Sequence, residues 1–569
     1  MEPNRVVTLP QLPSEVLSVI FQYLSLPDIL CCLTVSREWH VEAAPYLYSN
    51  AKFLKGTCPS LIQRFKANKH YIHHLEWDAL SPKVISEEDI LDILLDYHAS
   101  GPIEDLDDDV VLKPGSRRAT LYSFRFSGTL DSVSRFDEIL FNLTSLTRLS
   151  LYWWAYSREV KGNIISLDRI LETMPHLIHL SVEGCDFEPL KPESPLLDQH
   201  APMYRLQTFC FDASLIDCQE SILRIFRRLG HLVAISVYGD KYNATNFVSG
   251  FQPQRVGLAL QTFCPKLEQI HASGYIPFYF YLFPTSTSLS PIKLHGNDQQ
   301  EHSLLEEQRR QQCEEAFELF PKLKSFSTDH CCILAVEDLR ALGVCARFLT
   351  HLTLSGMIKP AYNVPLSEQQ DDGRVQRRCN ITTMDLQIFL ETCQHLQQFS
   401  APRMAISLED MTPSGMAISR KRRTYGNNLI RLAKPWACEQ TLEKLEIGFE
   451  VASTHPSDHR IVFAQLGRCR RLKSLSLRFS DLMPTLTHGV DLLVGLEDTL
   501  EEIPSWSSAW SCDNKETLLW LLTRFKKLTK IGTNIYEGSG LQAQVMGWLS
   551  PEQCARLSYN TKRILISEI

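Results

Sequence analysis

The hydrophobic positions over most of the chain follow one recurring pattern. In a typical copy, apolar residues stand at the first, fourth, seventh and ninth positions, and the residue at the fourth position is Leu. The pattern is clear from Leu143 to Phe525, and its copies follow one another at intervals of roughly 35 residues, longer than the usual short repeats. Within one copy, Leu149 and Leu151 alternate with Ser150, which places both leucines on one face of a short strand.

Most copies are preceded by apolar residues at helical spacing, as at Leu167, Ile170 and Leu171. A strand and a helix repeated in this way cannot bury their apolar faces alone, so neighbouring copies must stack. Weaker copies at 72–77 and 121–126 extend the pattern toward the N-terminus. We therefore predict an α/β fold, in which a small all-helical unit precedes a helix-backed solenoid with a parallel sheet on its concave face.

This pattern resembles a leucine-rich-repeat array of the long, helix-backed kind. That family places Asn or Cys just after the strand, and Cys185 and Cys331 stand there in two copies. At other copies the position is irregular. An unrelated α/β domain is the alternative interpretation.

The first fifty residues carry a different pattern, typical of three short helices. Val16, Leu17, Ile20 and Phe21 lie along one side of a first helix. A second helix follows, with Ser25 as its N-cap and with Pro and Asp in its first turn. The third helix is predicted to begin near Val35 and to end near Pro45, because proline interrupts helical hydrogen bonding.

The order of these residues resembles the F-box, although an ordinary amphipathic helical hairpin is the alternative. The F-box pattern is Leu-Pro, an acidic residue, a hydrophobic pair, Ile-Phe, a Leu, Leu-x-Asp and then Val-x-Arg-x-Trp. It stands here as Leu12-Pro13, Glu15, Val16-Leu17, Ile20-Phe21, Leu24, Leu26 with Asp28, and Val35, Arg37 and Trp39.

The resemblance implies docking on a Skp-family adaptor and, through it, on a cullin carrying a RING subunit. The chain would then be the substrate-recognition subunit of an SCF-type (Skp–cullin–F-box) ubiquitin ligase, holding an unidentified target on its repeats. A non-degradative scaffold that binds the adaptor without ubiquitin transfer is the alternative. The residues expected to divide between the domain core and the adaptor surface are Leu12, Pro13, Val16, Leu17, Ile20, Phe21, Leu24, Leu26, Ile29, Val35 and Trp39.

Two regions are predicted, an F-box domain at 9–50 and the repeat array at 65–569. Polar stretches without periodicity interrupt the array and are interpreted as loop insertions; they lie near 191–202, 285–312, 360–380 and 412–428. The last of these contains the basic cluster at 420–423, a candidate nuclear-import signal or anion-binding patch. An acidic run at 104–109 is interpreted as part of another loop.

Composition narrows the class of protein. The formal net charge is -8 and the pI is about 6.2, which argues against a nucleic-acid footprint spread over the chain. The N-terminus lacks the apolar core of a signal peptide, and the most apolar short run, 276–283, is too short to span a bilayer. The 17 cysteines contain no C-x-x-C pair and are expected to be reduced and mostly buried. We expect a cytoplasmic and/or nuclear protein that binds neither membrane nor nucleic acid.

The sequence offers no convincing candidate for a catalytic or metal site. The sequence contains no nucleophile elbow, P-loop, dinucleotide fingerprint or zincin motif. His70, His73 and His74 lack an acidic partner at zinc-site spacing, and Asp329 and Cys331 are predicted to face opposite sides of a strand. We expect no enzyme activity, unless an insertion conceals one, and no metal or cofactor.

The target is expected on the outward face of the predicted strands, opposite the buried leucines. Acidic and aromatic residues gather on that face in the earlier repeats and basic ones in the last three. Tyr is a frequent hot-spot residue in protein interfaces. The predicted target contacts are Tyr152, Glu183, Asp212, Tyr238 and Arg478.

Overall fold

The computed structural model divides into two compact units, Met1–Leu232 and Val233–Ile569. The residues that it describes are 12–54, 57–79, 86–95, 121–128, 140, 143–153, 164–184, 186–187, 203–212, 219–238, 259–260, 262–273, 322–328, 339, 342, 348–355, 383–408, 434–450, 456–479, 485–504, 515–531, 547 and 549–556. The four predicted insertions, the charged runs at 104–109 and 420–423, and Asp329 with Cys331 lie outside the described residues.

The first unit begins with three helices, α1 (Ser14–Tyr23), α2 (Leu26–Cys32) and α3 (Arg37–Tyr48). Ser25 occupies the N-cap of α2, but its hydroxyl donates to the Asp28 carboxylate at 2.5 Å instead of accepting from a backbone N–H. The cap of α3 is formed as expected, since the Ser36 hydroxyl accepts from the Trp39 N–H at 3.2 Å.

The third helix runs through Pro45 to Tyr48, so the predicted end near Pro45 is wrong. Proline has no N–H to offer the preceding turn, which weakens the helix there. The following turn forms nevertheless, since the Ser49 N–H donates to the Pro45 carbonyl at 3.0 Å. Ala44 and Tyr48 are buried on either side of the proline, and this packing offsets the missing hydrogen bond.

In the described part of the first unit, a parallel sheet of six strands follows the three helices. Its strands, in spatial order, are β1 (Asn50–Phe53), β2 (His74–Asp78), β3 (Ser123–Gly128), β4 (Arg148–Trp153), β6 (His179–Glu183) and β8 (Thr208–Asp212). The short strands β5 (Ile164–Ile165) and β7 (Asp186–Phe187) form a separate parallel pair. The helices are α4 (Pro59–Ala67), α5 (Glu87–Leu95), α6 (Leu167–Thr173) and α7 (Gln219–Phe226), with a 3₁₀ turn at Lys69–Tyr71.

The sheet starts directly after the third helix, at Asn50, ahead of residue 65 where the array is predicted to begin. The Ser49 carbonyl accepts from the N–H groups of both His73 and His74 at 2.9 Å. Ala51 and Phe53 are buried and lie opposite Leu75 and Trp77 of β2. The helical domain is therefore joined to the repeats without a linker.

The second unit repeats this architecture, with nine parallel strands among its described residues. They are β9 (Ala234–Tyr238), β10 (Gln269–Ser273), β11 (Ser325–Thr328), β12 (His351–Leu354), β13 (Gln398–Ser407), β14 (Lys444–Glu450), β15 (Ser474–Phe479), β16 (Glu502–Ile503) and β17 (Lys530–Ile531). The helices are α8 (Thr383–Thr392), α9 (Pro456–Arg468), α10 (Lys515–Arg524) and α11 (Pro551–Arg556), with 3₁₀ helices at Leu486–His488 and Val490–Leu496.

Register brings the repeat leucines together in each unit. In the first, Leu149 lies opposite Phe124 and Leu180. In the second, one buried row passes through Ile235, Ile270, Phe326, Leu352, Phe399, Leu445 and Leu475. The strand predicted from Leu149 and Leu151 lies within β4, and the helix-backed parallel fold class is confirmed.

One hydrogen-bond motif fixes that register. Before every later strand of each sheet, two successive N–H groups donate to one carbonyl of the preceding repeat. Ile178 and His179 donate in this way to Thr147 at 2.8 and 3.0 Å. Lys473 and Ser474 donate to Glu443 at 2.7 and 3.1 Å. A one-residue slip would break the pair and turn the buried leucines outward, so the motif and the apolar pattern specify the same alignment.

Candidate protein-interaction surfaces

The F-box-like residues separate into an inner and an outer set. Leu17, Phe21 and Ile29 are buried in a small core, to which Cys32 and Ala43 also belong. Of the remaining predicted adaptor residues, Ile20, Leu24 and Trp39 are partly buried, and Leu12, Pro13, Val16, Leu26 and Val35 are exposed.

The core sets the position of the outer residues by tying α1 to α3. The Phe21 ring meets the Trp39 ring edge-on at 5.7 Å between centroids and lies 5.7 Å from the Tyr46 ring. The Tyr46 hydroxyl donates to the Ser18 carbonyl at 3.0 Å. Because one side of α1 is fixed against α3, Val16 and its exposed neighbours face away from the core.

The outer apolar face is larger than the sequence pattern indicates. Of the sixteen large apolar side chains that are exposed in the described part of the chain, eight lie between residues 12 and 41. Four of these are outside the predicted set: Val19, Tyr23, Leu30 and Val41. Tyr23 is the most exposed, at 84%. The F-box pattern and the helical stripe both mark other positions, so neither signal finds them. A concentration of exposed apolar side chains on so small a domain is typical of a docking surface.

The outward face of the first unit's sheet carries a compact charged network. The Glu76 carboxylate lies between two cations, 3.0 Å from the Lys52 ammonium and 3.7 Å from the Arg125 Nε. The Arg125 guanidinium in turn stacks over the Tyr152 ring, 4.9 Å from its centroid.

Two of the predicted target contacts meet beside this network. Tyr152 lies directly opposite Glu183 in the register of β4 and β6. Partial burial and the Glu183 charge both raise the pKa of the Tyr152 phenol. The Ser181 hydroxyl donates to the Glu183 carboxylate at 3.4 Å, which helps to fix that acid. Asp212 is the last residue of β8, the next strand of the sheet.

The other two predicted contacts belong to the second unit and are not adjacent. Tyr238 ends β9, where its ring lies 6.1 Å from the His271 ring. Arg478 is exposed on β15, opposite Gly448, and strands β10 to β14 lie between it and Tyr238. The part of the sheet around Arg478 also carries acids. Glu446 and Glu502 lie on the same outward face as the basic residues of the last repeats. The Lys530 ammonium pairs with Glu502 at 3.8 Å.

The middle of the second sheet presents mainly hydroxyl groups. The His271 Nδ1 and the Ser327 hydroxyl are hydrogen-bonded at 2.7 Å, and the Ser400 hydroxyl donates to Glu446 at 2.6 Å. These contacts connect adjacent strands and leave short side chains on the surface between them. The arrangement suits recognition of another chain by hydrogen bonding.

Four buried cysteines of the repeats are poorly suited to nucleophilic chemistry. Burial raises the pKa of the Cys264 and Cys438 thiols to about 12, and it also raises the pKa of Cys393 and Cys469. Since the thiolate is the nucleophile, these groups serve as apolar packing. No set of three His, Cys, Asp or Glu residues in the described ranges is arranged to hold a metal ion. No described helix is both long enough and apolar enough to span a bilayer.

Comparison with known proteins agrees with the N-terminal geometry. No curated protein matches the chain. Among solved structures, the chain is similar to one described as the crystal structure of a TLR13–ssRNA13 complex, with 11% identity and a TM-score of 0.36. That similarity covers 84% of this chain and 55% of the other, so this chain spans about half the length of that protein. Residues 9–53 match the F-box-like family, and the chain therefore carries an F-box-like domain at its N-terminus.

Proposed function

We propose that this chain is the substrate-recognition subunit of an SCF-type ubiquitin ligase. The F-box-like domain at 9–53 is the observation that carries the proposal, because F-box domains bind Skp-type adaptors. The exposed apolar side chains of that domain supply a surface for such an adaptor. In this role the chain performs no chemistry itself and raises the local concentration of a target near the conjugating enzyme.

The junction between the domain and the sheet supports this role. Tyr48 of α3 and Phe53 of β1 both pack edge-on against Phe65 of α4, with ring centroids 5.6 and 5.4 Å apart. Together with the hydrogen bonds to the Ser49 carbonyl, these contacts make the adaptor surface and the first strands one packed body. A target held on those strands would lie at a fixed distance from the adaptor, which catalysis by proximity requires.

The target surface in this proposal is the outward face of the strands. In the first unit Tyr152 and Glu183 contact the target, with Asp212 beside them. In the second unit Tyr238 and Arg478 provide separate contacts.

The experiment is a reconstitution with purified Skp-family adaptor, cullin and RING subunit. The wild-type chain is expected to co-purify with all three and to support ubiquitin conjugation to proteins it captures. Leu12→Ala with Pro13→Ala should remove the adaptor, whereas Tyr152→Ala with Tyr238→Ala should weaken target capture and leave the adaptor bound. Adaptor binding without cullin would support the non-degradative scaffold instead. Unchanged adaptor binding by the Leu12/Pro13 variant would refute the docking assignment.

A further inference from the structure

A row of polar side chains crosses the first unit's sheet at the N-terminal ends of its strands. We call it the Arg148 row; in strand order it consists of Asn50, His74, Ser123, Arg148, His179 and Thr208. These residues lie in direct register, each opposite its neighbour on the next strand. Each is followed in sequence by a buried apolar residue, such as Leu149 after Arg148, so the row faces away from the core.

Arg148 is the one formally charged residue of this row, and its guanidinium is exposed. Within the residues that the structure describes, no carboxylate or other acceptor binds its side chain. Its neighbours in the row, Ser123 and His179, supply no acid that would offset the positive charge. Burial lowers the pKa of His179, and the Arg148 charge lowers it further. The pKa of His74 is lowered by burial, then by His73 and by Arg148.

The adjacent row of the same sheet shows the opposite arrangement. Lys52, Glu76 and Arg125 lie in register one pair of residues further along, and the central acid neutralises the cations on both sides. Unlike the Arg148 row, this row contains its own counter-charge. Arg148 lies between Ser123 and His179 in register, so no acid of its own row competes with an external anion for its guanidinium.

We propose that the Arg148 row binds an anionic, extended segment of a partner protein, with carboxylate or phosphate groups on Arg148 and on the two histidines of the row. Five strand spacings of about 4.8 Å make the row about 24 Å long, which matches roughly seven residues of extended chain. Ser123 and Thr208 add hydroxyl donors along the same line. A long nucleic acid fits less well, since it requires many cations and the chain carries a net charge of -8.

The inference deepens the proposed function by naming the chemistry of the target segment. It rests on that function only for the identity of the partner as a target. The binding itself needs neither adaptor nor cullin and is measured on the isolated chain. Loss of adaptor docking and loss of anion binding are therefore separable results.

Proton uptake provides a specific signature. Besides Arg148, the groups that face His74 are His73 and, one row further on, Lys52, Glu76 and Arg125. Glu76 is engaged with its two cations and does not offset the Arg148 row.

The groups that face His179 are Arg148 on β4, Thr208 on β8 and Glu183 further along its own strand. Glu183 is engaged by Ser181 and lies beside Tyr152. A bound anion would raise the pKa of both imidazoles, so binding takes up protons and the affinity should increase as the pH falls.

The test uses a rhodamine-labelled peptide of about seven residues, alternating glutamate and serine, and fluorescence anisotropy on the full chain. Glutamate stays ionised between about pH 5.5 and pH 7.5, so any pH dependence reports on the protein. The wild-type chain should bind several-fold more tightly at the lower pH. Arg148→Gln should weaken binding about tenfold, the effect of losing one charged hydrogen bond.

Arg125→Gln is the matched control, because it removes the same charge from the same sheet in the compensated row. It should change the affinity by less than about twofold, with the unfolding midpoints of both variants unchanged. His74→Gln with His179→Gln should remove the pH dependence. A phosphoserine peptide of the same length serves as a second probe, and the tighter of the two identifies the preferred anion.

Several results would overturn the proposal. One is absence of peptide binding by the wild-type chain at either pH, and another is equal weakening by Arg148→Gln and Arg125→Gln. A glutamine–serine peptide that binds as well as the glutamate peptide would also exclude it. Binding that appears only after the acids at 104–109 are neutralised would assign the row to this chain's own acidic run instead of a partner.

Discussion

The indole Nε1 of Trp436 donates a hydrogen bond to the side-chain Oε1 of Gln387 at 3.0 Å, and both side chains are almost completely buried. Gln387 lies on α8 and donates from its Nε2 to Glu391 at 2.6 Å. Glu391 is in turn paired with the Lys434 ammonium at 3.5 Å. This network ties α8 to the segment that leads into β14, across two consecutive repeats of the second unit.

Replacing Gln387 should destabilise the second unit. In Gln387→Leu the indole N–H loses its acceptor inside the core, which costs about 1–3 kcal/mol of unfolding free energy. Urea unfolding followed by tryptophan fluorescence measures the change. Gln387→Leu combined with Trp436→Phe removes the donor and the acceptor together. The double variant should therefore lose less unfolding free energy than the sum of the two single changes. If the destabilisation of the double variant equals or exceeds the sum of the two single changes, the hydrogen bond does not couple them.

The inner and outer residues of the F-box-like domain should respond differently to mutation. Phe21→Ala deletes a buried ring and its contacts with Trp39 and Tyr46, so we expect a loss of about 3–5 kcal/mol. A domain this small has little stability to spare and should unfold. Amide hydrogen exchange over residues 12–48 reports the result.

Val16→Ala is the matched change on the exposed side of the same helix. It should leave hydrogen exchange protection intact, because Val16 is 43% exposed. Adaptor binding, measured by titration calorimetry, should weaken for both variants, but only Phe21→Ala should lose protection. Loss of protection in Val16→Ala would place that residue in the core instead of on the docking face.

The repeats could be predicted because burial of one face of each strand imposes the recurring apolar pattern. Leu149, Leu180 and Leu475 are fully buried on parallel strands, and the same alternation identifies Tyr152 and Glu183 as outward residues. A prediction from the sequence pattern is wrong where packing overrides a local rule. The last turn of α3, for example, forms despite Pro45. The pattern also fails to show where the sheet begins, since β1 is only four residues long and follows a helix without a break.

Features that depend on register between distant residues were not accessible from the sequence. The hydrogen bond between Gln387 and Trp436 joins residues 49 positions apart, and neither carries a periodic signal. Arg148 is visible as an outward residue, but its lack of a counter-charge depends on which side chains β2 and β6 bring beside it. The neutralisation of Arg125 by Glu76 likewise requires the alignment of β2 with β3.

Substitution within the buried row of the second unit should be costly. Leu352 is fully buried between Phe326 and Phe399, so Leu352→Ala should reduce the unfolding free energy by about 2–5 kcal/mol through lost contacts and a residual cavity. Thr353→Ala, at the next position on the outward face, should cost less than about 1 kcal/mol. Both are measured by urea unfolding, and equal losses would contradict the assigned faces of β12.

Stability should fall with pH through the range in which histidine titrates. The pKa values of His74 and His179 are lowered in the folded chain, mainly by burial and further by Arg148. Below the ordinary histidine pKa of about 6.5, the unfolded chain therefore binds more protons than the folded one. The stability is fully present above that pH and is lost as the pH falls through it toward the lowered folded values. His488 has a pKa lowered by burial and contributes in the same direction from the second unit.

His74→Gln with His179→Gln should reduce this loss, because glutamine stays neutral in both states. Urea midpoints at about pH 7.5 and pH 5.5 give the comparison, with the wild-type midpoint falling more than that of the variant. His488→Gln should remove only the contribution of the second unit and is the control for location. Identical pH dependence in the wild-type chain and the double variant would show that neither imidazole is disfavoured as a cation in the folded protein. That result would also remove the basis for the expected pH dependence of anion binding by the Arg148 row.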